Sequence, residues 1–169
     1  MDKKAILVAC VVAISFGAVI PTVSADSEDV TVTWIVPGDD TISVSFPTNQ
    51  GKIEFDATSV GKNFTDLAAT GQTSSIAAMR VTNNGNQALK IEARFTSDWP
   101  SGVEYVNVSV GDATGIDIYW TSANETVNQT LVSSLSMGSS EDFWFWTTGH
   151  NVAKTSGVDR TLRVYSSAA

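Results

Sequence analysis

The chain has 169 residues, of which 43% are hydrophobic and only 17% are charged, so it is long enough for one domain with a substantial core. Its formal net charge is -8, its pI is near 4.4, and its Lys and Arg residues are scattered along the sequence. A protein that binds nucleic acid must present a basic surface to the phosphates, so this composition argues against a nucleic-acid partner.

The first 25 residues have the three parts of a secretory signal peptide. A short positive start ends at Lys4, an almost wholly apolar run covers 5–20, and small residues at 23–25 form a cleavage site. We therefore predict a signal helix at 1–25 and a secreted domain at 26–169, which meets a membrane only through the N-terminal segment before cleavage. Two alternatives stay open, namely lipidation at Cys10 and a pilin-type leader cut near Lys4.

Cleavage after residue 25 removes Cys10, the only cysteine of the chain. The mature domain then forms no disulfide, although secreted domains often contain them. We expect it to be held together by the packing of an ordinary hydrophobic core.

From residue 30 onward the chain consists of short apolar or alternating runs separated by turn residues. This rhythm is typical of an antiparallel all-β sandwich or barrel with about nine or ten strands. We predict strands at 30–36, 41–46, 52–56, 77–82, 89–95, 103–110, 116–121, 126–132, 141–148 and 158–166. The segment 57–73 has no clear period and is predicted as a long surface loop with one helical turn near 66–69.

The clearest alternation lies between Leu89 and Phe95, where four apolar residues alternate with three charged ones. The polar segment 83–87 joins this run to the preceding one. A tight hairpin would place Arg80 opposite Lys90, which is unfavourable, whereas a wider loop would place Arg80 opposite Glu92. In a third arrangement the chain crosses between two sheets as a corner, and the two runs never pair.

The motif Val81-Thr82-Asn83-Asn84-Gly85-Asn86, followed by an alternating strand, resembles the signature of secreted prokaryotic, chiefly archaeal, Ig-like surface proteins. The turn Ser136-Met137-Gly138-Ser139-Ser140 before an aromatic strand adds to this likeness, which covers about 75–166. Such proteins include archaeal pilus subunits and TasA-like fibre subunits. The resemblance implies an Ig-like β-sandwich, the corner arrangement and a structural, non-enzymatic role, and no catalytic residue carries over.

Four N-glycosylation sequons occur, at Asn63, Asn107, Asn124 and Asn128. In a secreted protein of a glycosylating organism we expect one or more of them to carry a glycan. Asn124 and Asn128 are predicted to be the most accessible, whereas Asn107 falls on the polar face of a predicted strand.

The residue types needed for catalysis or metal binding are scarce. His150 is the only histidine, and the strained Gly-x-Ser-x-Gly elbow that would present a serine nucleophile is absent from the sequence. We predict no enzyme, no catalytic residue, no cofactor and no metal site. Asp39 with Asp40 and Glu141 with Asp142 could contribute oxygen ligands to calcium, but the Asp-x-Asp-x-Asp-Gly loop is missing, so solvated turn charges are the simpler interpretation.

Tryptophans can pack in the core, lie at a subunit interface or form a platform that stacks on sugar rings. The five are Trp34, Trp99, Trp120, Trp144 and Trp146. Neighbouring residues of a strand point to opposite faces, so the aromatic run at 143–146 places one Phe and one Trp on each face. We therefore expect Trp144 or Trp146 to lie outside the principal core, as an interface residue or a ligand platform.

The predicted strand at 30–36 begins a few residues after the predicted cleavage site. Its alternating residues Val30, Val32, Trp34 and Val36 make it a candidate assembly strand, because such a segment can add to an open sheet edge of a second copy. We therefore expect a secreted cell-surface structural protein that polymerises with itself into a filament or coat. The alternative is a carbohydrate-binding or adhesion module that holds a glycan ligand on exposed tryptophans.

Overall fold

The computed structural model describes residues 38–153 and 160–169, and within this part the backbone forms nine strands and no helix. In chain order the strands are β1 (Ile42–Ser45), β2 (Phe64–Ala68), β3 (Met79–Asn83), β4 (Leu89–Phe95), β5 (Val103–Val110), β6 (Ile118–Thr121), β7 (Gln129–Leu135), β8 (Ser140–Gly149) and β9 (Leu162–Ala168). The predicted signal helix at 1–25 and the assembly strand at 30–36 lie outside the described residues. No helix among the described residues is long and apolar enough to span a membrane.

The strands form two antiparallel sheets that pack in the manner of a β-sandwich. The larger sheet has six strands in the order β1-β3-β8-β5-β6, with β2 also paired to β8, and the smaller sheet has the order β7-β4-β9. Val81 and Phe143 of the larger sheet and Leu89 and Ile91 of the smaller one are all completely buried in one shared core. Burial of each such side chain contributes about 1.5–3 kcal/mol.

Strand β8 is the centre of the larger sheet. One of its edges pairs with β5, while the other is shared between β3 in its first half and β2 in its second half. Between the segments of β8 that pair with β3 and with β2, the side-chain amide of Gln72 forms the hydrogen bonds that a neighbouring strand would otherwise form with β8. Its Nε2 donates to the carbonyl oxygen of Phe145 at 2.8 Å, and its Oε1 accepts from the Phe145 N–H at 2.9 Å. Both polar groups of this buried backbone unit are therefore satisfied.

Most of the predicted strands are confirmed, with ends that shift by a few residues. The prediction at 89–95 matches β4, and the one at 103–110 matches β5. The prediction at 158–166 matches β9 from Leu162 onward, and 158–159 lie outside the described residues. The alternation in β4 has the predicted consequence, because its apolar residues are buried and Lys90 and Glu92 are not.

Two sequence predictions are wrong. The segment 52–56 is not a strand; Ile53 and Phe55 pack against the core, but the segment joins neither sheet. The predicted loop 57–73 contains β2 in place of a helical turn. A register irregularity lies between Phe64 and Leu67, and Asp66 between them has a φ of 47°. This bulge breaks the period of two, which is why the alternation is invisible in the sequence.

The segment 83–87 is a corner between the two sheets, since β3 belongs to the larger sheet and β4 to the smaller one. Neither hairpin arrangement occurs. Arg80 instead lies opposite Asp142 of β8, and its Nε and Nη2 donate to the two carboxylate oxygens of Asp142 at 2.7 Å each.

The corner is built around the side chain of Asn83, which is completely buried. Its Nδ2 donates to the carbonyl oxygens of Gln87 at 2.8 Å and Leu135 at 2.9 Å, and its Oδ1 accepts from the Gly85 N–H at 2.9 Å. A Cβ at Gly85 would overlap the carbonyl oxygen of Asp39. Asn83 therefore ties the corner to β7, and Gly85 allows the chain that leads into β1 to pass close by.

Candidate assembly edges and surface sites

Five strands pair on one side only within the described residues. They are β1, β2 and β6 in the larger sheet and β7 and β9 in the smaller one. The strands β1 and β6 have four residues each and β2 has five, whereas β7 and β9 have seven. Only β7 and β9 therefore match the length of a seven-residue added strand.

The edges of β7 and β9 differ in regularity. Strand β9 pairs with β4 through seven consecutive residue pairs, from Phe95 with Leu162 to Leu89 with Ala168. The pairing of β7 with β4 contains two register irregularities. Bulges twist an edge and hinder the addition of another strand. Strand β9 is thus the longest regular open edge of the described structure.

The first described residues lie beside the C-terminal end of β9. The hydroxyl of Ser166 donates to the carbonyl oxygen of Asp40 at 2.6 Å, and the N–H of Asp39 donates to Oδ1 of Asn86 at 2.7 Å. Asp39 and Asp40 are both exposed. This end of the β9 edge therefore carries two carboxylates.

The other end of the same sheet carries positive charge on its outer face. Arg94 of β4 lies directly opposite Arg163 of β9, and the Arg94 guanidinium lies over the Tyr165 ring, 5.5 Å from its centroid. Glu92, the outward-facing acid of β4, is bound to Lys90 at 2.8 Å. The Nε of Arg94 and the hydroxyl of Tyr165 are buried without a hydrogen-bond partner.

The tryptophans of the described part do not form an exposed platform. Trp144 is only 5% exposed, and its indole N–H donates to the carbonyl oxygen of Thr73 at 2.7 Å. Trp146 and Trp99 are half-buried, and Trp120 is fully buried. Phe143 and Phe145 belong to the core cluster, whereas Trp144 and Trp146 do not. The expectation of one Phe and one Trp on each face is therefore wrong, because residues two apart in a strand share a face. Both tryptophans lie on the outer side of the larger sheet, where the segment between β2 and β3 covers Trp144. Trp34 lies outside the described residues.

The four sequons differ in accessibility. Asn63 and Asn128 are exposed, whereas Asn124 is half-buried and accepts the Thr121 N–H at 2.6 Å. Asn107 is 5% exposed, and its Nδ2 donates to Oδ1 of Asp66 at 3.4 Å. The expectation that Asn124 is among the most accessible is therefore corrected in favour of Asn63. A glycan on Asn107 would have no space in the folded chain.

His150 borders an open cleft of about 260 Å³, lined by Asn63, Phe64, Thr65, Glu104, Thr148, Gly149 and His150. None of the hydrogen bonds between described residues joins the His150 imidazole to a serine or an acid. The cleft therefore lacks the linked nucleophile and base that acyl transfer requires. Its polar lining belongs to strand ends and turns.

Several acids of the described residues take part in turns and ion pairs. No three His, Cys, Asp or Glu residues in this part of the chain are arranged to hold a metal ion. Asp142 is bound by Arg80, which raises the Arg80 pKa through their hydrogen bonds. Hydrogen bonds from the Thr114 side chain and backbone lower the pKa of Asp112, and bonds from Thr58 lower that of Asp56. The candidate calcium ligands Asp39 and Asp142 are therefore already engaged, Asp39 through both donors of Thr41.

Comparison of this chain with protein-family models, with curated proteins and with solved structures finds no match.

Proposed function

We propose that this chain is a secreted, non-enzymatic structural protein of the cell surface, with an Ig-like β-sandwich domain that assembles into an extracellular filament or coat. Its partner is a second copy of itself. In each contact, residues 30–36 of one copy add as a strand to the β9 edge of the next, and main-chain hydrogen bonds supply most of the attraction.

The observation that carries this proposal is the β9 edge itself. It is seven residues long, regular throughout its pairing with β4 and open on its other side within the described residues. Residues 30–36 supply a strand of equal length that is rich in β-branched residues. Heterologous contacts of this kind repeat from copy to copy and produce open polymers.

The carbohydrate-binding alternative has less support. It requires indole rings that a sugar can reach, and none of the four tryptophans in the described part is exposed. Titration with glycans, followed by tryptophan fluorescence, tests it directly, and a saturable change that Trp146→Ala abolishes would favour it over assembly.

Deletion of residues 27–36 tests the assembly proposal. The deletion removes the proposed donor strand and keeps every residue of the described sandwich, so we expect folded monomers by circular dichroism and light scattering and no filaments by electron microscopy. Full-length protein that is monomeric at all concentrations, or a deletion variant that still assembles, would contradict the proposal.

Two point variants of the donor strand sharpen this test. Val32→Pro removes a backbone donor from the middle of the segment and should block assembly, whereas the control Val32→Ile keeps a β-branched side chain and should assemble normally. A synthetic peptide of residues 26–37 should bind to the deletion variant and inhibit assembly of the full-length protein. A scrambled peptide of the same composition serves as its control.

A further inference from the structure

The outer face of the smaller sheet contains a charge arrangement that the fold does not explain. Arg94 and Arg163 lie directly opposite each other on adjacent strands. Like charges in this position destabilise a sheet, yet the chain as a whole carries an excess of acid, with a net charge of -8. Two opposed arginines in such a chain indicate that an anionic group belongs between them.

No acid in the described part of the chain forms an ion pair with either arginine. Glu92, which is close in sequence, is already bound to Lys90. The Arg94 Nε and the Tyr165 hydroxyl are buried donors that lack an acceptor. Guanidinium groups bind carboxylates through paired hydrogen bonds, so a carboxylate that binds the accessible nitrogens of the two guanidinium groups would separate the two positive charges.

The sequence contains a matching group of acids next to the proposed donor strand. Asp26, Glu28 and Asp29 directly precede Val30. If cleavage follows residue 25, these carboxylates form the N-terminal end of the mature chain. A strand that adds to β9 therefore brings them to one end of that edge, and its direction decides which end.

The two ends of the β9 edge have opposite charge. A donor that runs antiparallel to β9 would bring its acids beyond Ala168, close to Asp39 and Asp40. A donor that runs parallel would bring them to the end at Leu162, within a few residues of Arg163, at about 3.3 Å per residue. The antiparallel direction brings like charges together, and the parallel one brings opposite charges together.

From this we infer that Arg94 and Arg163 form a docking site for the acidic segment 26–29 of a second copy, and that this contact makes the donor strand run parallel to β9. The inference rests on the proposed strand addition and specifies its direction. Main-chain hydrogen bonds then supply affinity, while the arginine pair selects one polarity by attracting the acids and the opposite end of the edge repels them.

Disulfide trapping between two different variants measures the direction. Both carry Cys10→Ser, so that no native cysteine interferes. One variant carries Ser27→Cys, which keeps Glu28 and Asp29, and the other carries Thr161→Cys or Ala168→Cys, which keep Arg94 and Arg163. After mixing and mild oxidation, we expect a crosslinked pair with Thr161→Cys, an exposed residue at the Leu162 end of β9, and none with Ala168→Cys. The reverse pattern would overturn the inference.

Charge reversal distinguishes failure of this inference from failure of the proposed function. Arg163→Glu should raise the concentration needed for assembly about tenfold, because it replaces an attraction with a repulsion. A partner variant with Glu28→Lys and Asp29→Lys should restore assembly when its tail meets the Arg163→Glu edge. The control Lys62→Glu makes an equal charge change at an exposed residue just before β2 of the larger sheet and should leave assembly unchanged.

The deletion and the charge reversal together show which of the two proposals fails. If deletion of residues 27–36 abolishes assembly but Arg163→Glu does not affect it, strand addition stands and the arginine docking site is wrong. If neither change affects assembly, both proposals are wrong. Weaker assembly of the wild-type protein at high salt, with stronger assembly of Arg163→Glu, would support the docking site, since salt screens both the attraction and the repulsion over about 8 Å at physiological strength.

Discussion

The corner at 83–87 and the outer face of β4 and β9 are two polar regions next to or on the smaller sheet. They differ in whether their buried polar groups have hydrogen-bond partners. At the corner, the buried amide of Asn83 has a partner for each of its polar atoms. On the outer face, Arg94 and Tyr165 contain buried donors without acceptors, next to a second arginine. Satisfied polar groups stabilise a fold, whereas unsatisfied ones cost stability and call for a functional explanation.

The largest expected effect is at the corner. Asn83→Ala removes three hydrogen bonds and leaves the groups they satisfied buried, so it should lower the free energy of unfolding by about 3 kcal/mol. Asn84→Ala is the matched control, because the Asn84 side chain is exposed, and it should change stability by less than about 0.5 kcal/mol. Urea unfolding of the two variants measures both values. Equal effects would mean that the corner does not depend on the buried amide.

The next effect concerns the close passage of the chain at Gly85. Gly85→Ala places a methyl group against the carbonyl oxygen of Asp39, so the segment that leads into β1 must move, at a cost of about 1–3 kcal/mol. In Gly115→Ala the nearest atom lies 3.8 Å from the added Cβ, and we expect little change. Thermal unfolding of the pair provides the comparison, and a Gly85→Ala protein as stable as wild type would show that the corner is loosely packed.

On the outer face the expected sign is reversed. Arg163→Ala relieves a like-charge pair, so the free energy of unfolding should stay unchanged or rise by a few tenths of a kcal/mol up to about 1. Arg80→Ala, by contrast, removes an ion pair with Asp142 and should lose about 0.5–1 kcal/mol. Denaturant titrations of the monomeric deletion variant carrying each change separate the two cases. A clear loss of stability in Arg163→Ala would assign that arginine a structural role.

The smallest effect is the acid sensitivity of a turn remote from both regions. Hydrogen bonds from Thr114 lower the folded-state pKa of Asp112 below its ordinary value. A lowered folded pKa contributes stability that is present above the unfolded pKa and is lost as the pH falls through the folded one. Thr114→Val should therefore destabilise the protein slightly at neutral pH, and this loss should disappear once the pH has fallen through the folded pKa of Asp112. A loss of the same size at neutral and at acid pH would exclude this linkage.

A last prediction concerns the sequons. Mass spectrometry of protein from a glycosylating host should find glycans at Asn63 or Asn128 and none at Asn107, because only the first two side chains are exposed. Asn63→Gln and Asn128→Gln should together remove the glycan mass. Glycan on Asn107 would mean that the chain is modified before β5 pairs with β8.

Much of the strand pattern could be predicted because it is a local property. In β4, the alternation of Leu89 and Ile91 with charged residues specifies a buried and an exposed face whatever strands lie beside it. In β2, the bulge at Asp66 removes that alternation, so the strand could not be recognised. The sequence predicted that Arg163 faces outward, because it lies between the apolar residues Leu162 and Val164. It did not predict that Arg163 lies opposite Arg94.

The sequence by itself determined which face of a regularly alternating strand such as β4 is buried, that the described part of the chain is all-β, and that its composition is acidic. Only the tertiary structure decided which strands are neighbours, because strand pairing joins residues far apart in the chain. Arg80 pairs with Asp142, which lies 62 residues away in the sequence. The segment at 83–87 is a corner because β3 pairs with β8 in one sheet and β4 pairs with β7 and β9 in the other. The same pairing brings Arg94 and Arg163 face to face and leaves the outer edge of β9 open within the described residues.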